Sequence, residues 1–247
     1  MRGRTRDAIA KRFAIVCCLA GLLLGAAPVA DGQAPPAKLR VLFIGNSYTY
    51  FNDLPGLVER LSAAERPIEA RMVVQGGATL EWHWTVGLAL KRIQQGGWDY
   101  VVLQEQSQRP LLDKPRMFEY ARAFDAEIKK QSARTVLYLT WSRQPRPELQ
   151  GQITQAYQEL GRELGAEVAP VGAAWHKVLQ RNPNLELYLP DGSHPSLAGS
   201  YLAACVFLGV FYGERPVKPL PTVAPLSPEA ALYLQNVAWE TLAEPNE

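Results

Sequence analysis

One serine of this 247-residue chain lies close to the end of an apolar run. The run ends at Gly45, Ser47 comes two residues later, and a helix-like segment begins soon after. Serine is a weak nucleophile, so it needs a base within hydrogen-bond reach and a third group that holds the base in the right tautomer. His194 lies three residues after Asp191 in the motif DGSHP. This spacing lets the carboxylate bond one ring nitrogen while the other faces the serine, which predicts nucleophilic catalysis.

Strand-like and helix-like segments alternate along the chain. Several strand-like runs are continuously apolar, which is typical of parallel strands covered on both faces. The predicted strands are residues 39–45, 68–74, 99–104, 134–140 and 167–171. The predicted helices are residues 54–61, 80–93, 118–128, 153–164, 172–180 and 196–211, with a last helix that starts at Ser227 and Pro228. The alternation predicts a three-layer α/β/α sandwich with a parallel sheet of about five strands.

Ser47 lies just beyond the carboxyl end of the first predicted strand. Ligands of open parallel sheets bind at this edge, because loops and helix N-termini converge there. The N–H groups of a following helix favour a developing negative charge. Taken alone, a serine after a strand-end glycine is more often a turn or a helix cap. The catalytic interpretation therefore depends on Ser47 occurring together with Asp191 and His194.

The sequence resembles the SGNH (GDSL-like) hydrolase superfamily. The resemblance is carried by the segments LFIGNSYT, VVQGGATL and DGSHPSLAGSYLAA, and it covers most of residues 39–212. It implies the flavodoxin-like fold of that superfamily. It also implies that Ser47 is the nucleophile, that His194 is the general base and then acid, and that Asp191 orients His194. Asn46 stands where the family usually has Asp, which leaves the nucleophile intact.

The resemblance further implies an oxyanion hole formed by the Ser47 N–H, a glycine N–H and a side-chain amide. Gly77 best matches the glycine, and Gly76 is the alternative. The asparagine that the family usually places after the third strand is absent, and the chain reads WDYVVLQEQSQRP instead. Some carbohydrate acetylesterases of the superfamily have a Gln-Gly-Glu-type turn here, to which this segment is similar. By that analogy Gln104 is the expected donor and Gln106 the second candidate.

Other site types fit the sequence less well. Asn46, Gly76, Gln106 and His83 are candidate residues of the substrate pocket, and for His83 we expect no other role. His83 lies between Trp82 and Trp84, but a single histidine lacks the ligand cluster that a zinc site needs. The α/β-hydrolase motif Gly-x-Ser-x-Gly is broken by Thr49, and glycine-rich phosphate-binding motifs do not follow the first strand. We therefore expect no metal and no organic cofactor.

The first 32 residues have the layout of a secretory signal peptide, with five basic residues and an apolar stretch that is short for a membrane span. Residues 33–38 are predicted to be a flexible lead-in, and residues 39–247 a single hydrolase domain. The full chain carries a net charge of +2, but without residues 1–32 it has 21 basic and 22 acidic residues. This balance gives no electrostatic reason to expect nucleic acid or an anionic membrane as a partner. Cys205 would then be the only cysteine, which precludes an intramolecular disulfide.

These observations together predict a secreted or periplasmic serine ester hydrolase without stable membrane insertion after leader removal. The expected substrate is a small-molecule or carbohydrate ester that carries a short acyl group, O-acetyl foremost. This choice rests on the leader, the absence of an extended apolar lid segment and the Gln-containing third motif. One alternative is a lipid esterase, lysophospholipase or thioesterase. Another is a carbohydrate-binding module that keeps the fold without turnover.

Overall fold

The computed structural model describes residues 37–215 and 219–244. The predicted leader and residues 33–36 lie outside this part of the chain. The described residues form a five-stranded, all-parallel sheet in the order β2-β1-β3-β4-β5. The strands are β1 (Leu39–Gly45), β2 (Ile68–Val74), β3 (Tyr100–Leu103), β4 (Arg134–Tyr138) and β5 (Glu167–Ala169).

Helices connect the strands and cover both faces of the sheet. Those before β4 are α1 (Ser47–Tyr50), α2 (Leu54–Leu61), α3 (Leu80–Val86), α4 (Leu88–Gln94), α5 (Arg109–Leu112) and α6 (Lys114–Lys130). Those after β4 are α7 (Gln150–Leu164), α8 (Val171–Arg181), α9 (Leu197–Tyr212) and α10 (Pro228–Ala243). The described residues also form two 3₁₀ turns, Phe51–Asp53 and Pro147–Leu149.

The apolar residues of β1 explain why helices cover both faces of the sheet. Val41 and Phe43 point into one core, with α2, α8, α9 and α10, while Leu42 and Ile44 point into the other, with α3, α4, α6 and α7. Consecutive strand residues face opposite sides, so a continuously apolar strand requires helices on both. The predicted three-layer α/β/α sandwich with five parallel strands is confirmed.

Element boundaries differ from the sequence prediction at two informative places. The single helix expected over residues 80–93 is two helices, because Gly87 adopts a left-handed conformation with φ of 77° between them. Left-handed geometry ends an α-helix, and glycine adopts it without steric cost. The last strand ends at Ala169, because Pro170 has no N–H to donate to the sheet and Val171 already begins α8.

The strand order places a crevice between β1 and β3. The chain leaves β1 through α2 on one face and leaves β3 toward α6 on the other, so the following loops diverge at the carboxyl edge of the sheet. Ligands of doubly wound sheets bind at such a point. Ser47 follows β1 and Gln104 follows β3, so both lie at this crevice. In the described part of the chain, no helix has the length and apolarity needed to span a membrane.

Candidate active site

The structure brings Ser47, His194 and Asp191 into one chain of hydrogen bonds. Ser47 is the first residue of α1, and its Oγ lies 2.9 Å from His194 Nε2. The other ring nitrogen, His194 Nδ1, lies 2.5 Å from Asp191 Oδ2. Ser47 and His194 are 147 positions apart in the sequence, so only the tertiary fold can bring them into contact. A hydroxyl, an imidazole and a carboxylate in this order form the arrangement that activates a serine nucleophile.

The Asp191 carboxylate fixes the tautomer of the imidazole. Its Oδ1 accepts hydrogen bonds of 2.9 Å from the backbone N–H groups of Ser193 and His194. The His194 side chain, followed by these two N–H groups, lowers the pKa of Asp191 to about 2. An ionised carboxylate can only accept, so Nδ1 of His194 donates to Asp191. In the neutral imidazole, Nε2 is then the acceptor that can take the proton of Ser47.

Aromatic packing holds the histidine loop against α1. The Phe51 ring stacks on the imidazole of His194 with centroids 4.4 Å apart. The Tyr48 hydroxyl lies 2.8 Å from Ser193 Oγ, and the Trp141 indole N–H donates to the Ser193 carbonyl at 2.9 Å. Tyr48 and Trp141 also stack on each other, 4.5 Å apart. These contacts limit the freedom of the imidazole relative to Ser47.

Asn46 ties the serine loop to the glycine loop that follows β2. Its Oδ1 accepts the Tyr48 N–H at 3.1 Å and caps α1, while its Nδ2 donates to the Ala78 carbonyl at 3.0 Å. An aspartate could accept the first bond but could not donate the second. The asparagine therefore fixes the position of Gly77, which has φ of 68° and lines the pocket beside Ser47.

Gln104 does not have the expected role. Its side chain is fully buried, its Oε1 accepts from the Asn46 N–H at 2.8 Å and from Thr49 Oγ1 at 3.0 Å, and its Nε2 donates to the Glu105 carbonyl at 2.6 Å. An N–H group at one end and a carbonyl at the other leave a single orientation for the amide. The structure therefore directs the donors of Gln104 away from the pocket, contrary to the expectation that it supplies the third oxyanion donor. The same packing requires Gly45, since a Cβ there would lie 2.5 Å from Gln104 Oε1.

Of the two candidate glutamines, Gln106 is the one that lines the pocket. Its Oε1 accepts the Gln108 N–H at 2.8 Å, which fixes the orientation of the amide. Its Nε2 has one contact of 3.5 Å, to Ser107 Oγ, at the outer limit of a hydrogen bond. The donors of Gln106 are thus available to a ligand. Gln106, the second candidate, therefore lies at the pocket position that was expected for Gln104.

Glu105 connects the loops that carry Gly77 and Gln106. Its Oε1 accepts the Gln106 N–H at 2.6 Å and the Leu80 N–H at 3.3 Å. The side chain is 1% exposed, and burial raises the pKa of Glu105 to about 7, with the backbone bonds and Arg109 opposing that change. Because the buried Glu105 carboxyl accepts from both loops, it fixes the distance between the loop of Gly77 and the loop of Gln106.

His83 and Gly76 do not line the pocket. The His83 side chain is 1% exposed, and its Nε2 lies 2.8 Å from the Gly45 carbonyl. A carbonyl only accepts, so Nε2 carries the hydrogen. Burial lowers the pKa of His83, which favours this neutral form. The expectation that His83 lines the substrate pocket is wrong, because the histidine instead supports the end of β1.

The pocket beside Ser47 has a volume of about 210 Å³. Its lining residues are Asn46, Ser47, Tyr48, Gly77, Gln106, Ser107, Arg143, Ser193 and His194. Sequence reasoning did not single out Tyr48, Ser107, Arg143 or Ser193. Arg143 lies five residues beyond the end of β4, so the rule that ligands bind at the carboxyl edge could have identified it.

A second and larger cavity, of about 690 Å³, lies among α7, β5, α9 and α10. Volume alone would favour it as a binding site. Its described lining has no serine, cysteine or histidine, whereas the smaller pocket contains the serine–histidine pair, so we assign the chemistry to the smaller one. Among the described residues, no group of three or more His, Cys, Asp and Glu side chains is arranged to hold a metal ion.

Comparison with solved structures gives many matches. A candidate SGNH hydrolase from Slackia heliotrinireducens is 28% identical, with a TM-score of 0.63 over 71% of this chain and 100% of its own. The lipase/acylhydrolase from Enterococcus faecalis is 19% identical, with a TM-score of 0.56 over 71% of this chain and 96% of its own. An acetylxylan esterase from Geobacillus stearothermophilus is 18% identical, with a TM-score of 0.56 over 70% and 94%. No family model and no curated protein matches the sequence. The fold of the described chain is that of the SGNH hydrolases.

Proposed function

We propose that this protein is a serine ester hydrolase that removes short acyl groups, O-acetyl foremost, from a carbohydrate or similar alcohol. The observation that carries the proposal is the 2.9 Å contact between Ser47 Oγ and His194 Nε2, with Asp191 on the far side of the ring. The SGNH hydrolase and the acetylxylan esterase among the structural neighbours support a hydrolase on this fold.

In the proposed reaction, Ser47 Oγ attacks the ester carbonyl while His194 Nε2 takes the hydroxyl proton. The carbonyl oxygen becomes an oxyanion, which the N–H groups of Ser47 and Gly77 and the amide of Gln106 stabilise. As the first residue of α1, Ser47 has no intrahelical partner for its N–H. The φ of 68° at Gly77 turns the backbone at the edge of the same pocket.

The tetrahedral intermediate collapses when the bond to the alcohol breaks. His194 gives its proton to the departing alcohol oxygen, and an acyl group remains on Ser47. A water molecule then gives one proton to His194 and attacks the acyl carbon. The second collapse releases the carboxylic acid and returns the proton to Ser47 Oγ. Asp191 stays ionised and stabilises the imidazolium at each step.

The size of the pocket supports a short acyl group. Its 210 Å³ are below the roughly 300–1,000 Å³ of sites that enclose a drug-sized ligand. An acetyl group fits such a volume, and the alcohol part of the substrate then extends toward solvent. The acetylxylan esterase among the structural neighbours supports a carbohydrate as that alcohol. Export of the protein, expected from residues 1–32, belongs to the same proposal and is tested by N-terminal sequencing of material from the native host.

A lipid or long-chain acyl ester is the second candidate, favoured by the lipase/acylhydrolase among the neighbours. Nitrophenyl esters of increasing acyl length separate the two. We expect kcat/KM to be highest for acetate and to fall with chain length, since a long acyl chain exceeds the pocket. A maximum at eight or more carbons would favour the lipid candidate and contradict the carbohydrate acetylesterase.

Covalent labelling with a fluorescent fluorophosphonate tests the nucleophile directly. The wild-type protein should be labelled at one site, Ser47→Ala should not be labelled, and Ser107→Ala should be labelled like wild type. Ser107 is a suitable control because it is a second buried serine that lines the same pocket. A folded wild-type protein without labelling would instead favour a carbohydrate-binding module. Labelling that persists in Ser47→Ala would refute the assigned nucleophile.

A further inference from the structure

Among the described residues that line the pocket, Arg143 is the one with a permanent charge. The other lining residues that the structure describes are neutral side chains and His194, and none of them is a carboxylate. Arg143 is exposed, and among the residues described by the structure its guanidinium has no ion-pair or hydrogen-bond partner. Arg146 on the same loop, by contrast, is paired with Glu148. A cation at a pocket without an internal counter-charge is available to an anionic ligand.

The backbone on both sides of Arg143 is fixed. The Ser142 N–H donates to the buried Gln150 Oε1 at 2.7 Å, and the Ser142 carbonyl accepts the Tyr188 hydroxyl at 2.7 Å. On the other side, the Gln144 N–H donates to the Gly192 carbonyl at 2.8 Å. The position of the arginine along the pocket rim is therefore set before a ligand binds, which lowers the entropic cost of an interaction there.

The loop of Arg143 lies on the side of the pocket from which the alcohol leaves. It bonds the loop that carries His194, through Gln144 to Gly192 and through Trp141 to Ser193. In the proposed reaction His194 protonates the leaving oxygen, so the alcohol part of the substrate must lie next to the histidine. Gly77 and Gln106, in contrast, come from the loops after β2 and β3. In the proposed reaction, Arg143 therefore neighbours the alcohol part of the substrate.

We propose that Arg143 binds a carboxylate on the alcohol part of the substrate, so that the natural substrate is an acylated acidic sugar. This inference rests on the proposed function and deepens it. The planar guanidinium matches a carboxylate with two parallel hydrogen bonds. The remaining lining groups are hydroxyls and amides, which suit the hydroxyl groups of a sugar ring. A phosphate on a small ester would use the same fork geometry, and the test below separates it from a carboxylate.

The test compares two pairs of acetate esters that differ in one anionic group. The first pair is tri-O-acetyl methyl glucuronoside and its methyl-xyloside counterpart, which lacks the carboxylate. The second pair is acetyl glycerol phosphate and acetyl glycerol. We expect wild-type kcat/KM to be about tenfold higher for the glucuronoside than for the xyloside, because the pair is charge-assisted but partly solvated. The preference should decrease as the salt concentration rises.

Variants on the same loop separate the role of Arg143 from a general effect. Arg143→Gln should lose the preference through a higher KM for the glucuronoside, so that the ratio of kcat/KM for the two substrates falls toward one. Arg143→Lys should keep part of the preference, since the charge remains but the two-bond geometry is lost. Arg146→Gln is the matched control, as Arg146 is exposed on the same loop but paired with Glu148, and it should behave like wild type.

The outcomes distinguish this inference from the proposed function. Equal turnover of both members of the first pair by a labelled, active wild-type protein would overturn the role of Arg143 and leave the esterase intact. A preference confined to the phosphate pair would also overturn the acidic-sugar substrate. A preference for the glucuronoside that persists in Arg143→Gln would assign the recognition to another residue. Absence of both labelling and turnover would refute the proposed function itself.

Discussion

Replacement of Glu105 by glutamine should stabilise the protein at pH 8 but not at pH 4. Burial raises the pKa of this carboxyl from its ordinary 4.5 to about 7. Glu81 adds to that change, while the N–H bonds from Gln106 and Leu80 and the charge of Arg109 oppose it. Burial raises the pKa of the Tyr157 hydroxyl, and the charge of nearby Glu105 raises it further. Glu105 is therefore protonated in the folded protein at pH values where the unfolded chain has lost the proton.

The sign and the size of the effect follow from this difference. Between pH 4.5 and about 7 the folded state binds more protons than the unfolded state, so the free energy of unfolding falls as the pH rises through that window. The difference between the two pKa values, 4.5 and about 7, corresponds to about 3 kcal/mol at about 1.36 kcal/mol per pKa unit. A glutamine keeps an oxygen that can accept from Leu80 and Gln106, and it has no charge to bury. The free energy of unfolding of Glu105→Gln should therefore exceed that of wild type by up to about 3 kcal/mol at pH 8, or about 6–12 °C in Tm. At pH 4 the two proteins should be equally stable.

Urea denaturation at pH 4, 6 and 8 measures this difference. The matched control is Glu65→Gln, because Glu65 is exposed, and its difference from wild type should be small and nearly constant with pH. An equal difference between Glu105→Gln and wild type at pH 4 and pH 8 would refute the reasoning. So would a Glu105→Gln variant that is less stable than wild type at pH 8, since the carboxylate would then stabilise the fold.

Two further predictions concern the groups around Ser47. Gln106→Ala should lower kcat about 100-fold with little change in Tm, because it removes an oxyanion donor that contributes little to packing; steady-state kinetics measure this, and unchanged kcat would exclude Gln106 from the oxyanion hole. Asn46→Asp should lower kcat and remain folded, because the carboxylate still caps α1 but cannot donate to the Ala78 carbonyl. Asn46→Ser also loses that bond but adds no charge, so it controls for repulsion between a carboxylate and the Ala78 carbonyl. Full activity of Asn46→Asp would show that the bond does not position Gly77.

Local physical chemistry made much of this protein predictable from its sequence. A strand covered on both faces must be predominantly apolar, so β1 was predicted at its observed boundaries. Asp191 and His194 are three residues apart on one turn, so their hydrogen bond depends on the loop and not on distant packing. The position of Ser47 at the carboxyl edge follows from the parallel sheet, whose strand ends meet at one edge.

The choice between Gln104 and Gln106 required the tertiary structure. The two residues are of the same type and two positions apart, so spacing does not distinguish them. Gln104 is held by Asn46 and Thr49, which lie 58 and 55 residues away in the sequence, and both ends of its amide bond to groups within the protein. The role of Arg143 likewise depends on a loop contact with Gly192 across the fold. Local sequence determines which strands, helices and turns form. Whether a polar group remains free for a ligand depends on the hydrogen-bond partners that distant segments bring to it, and only tertiary packing decides those partners.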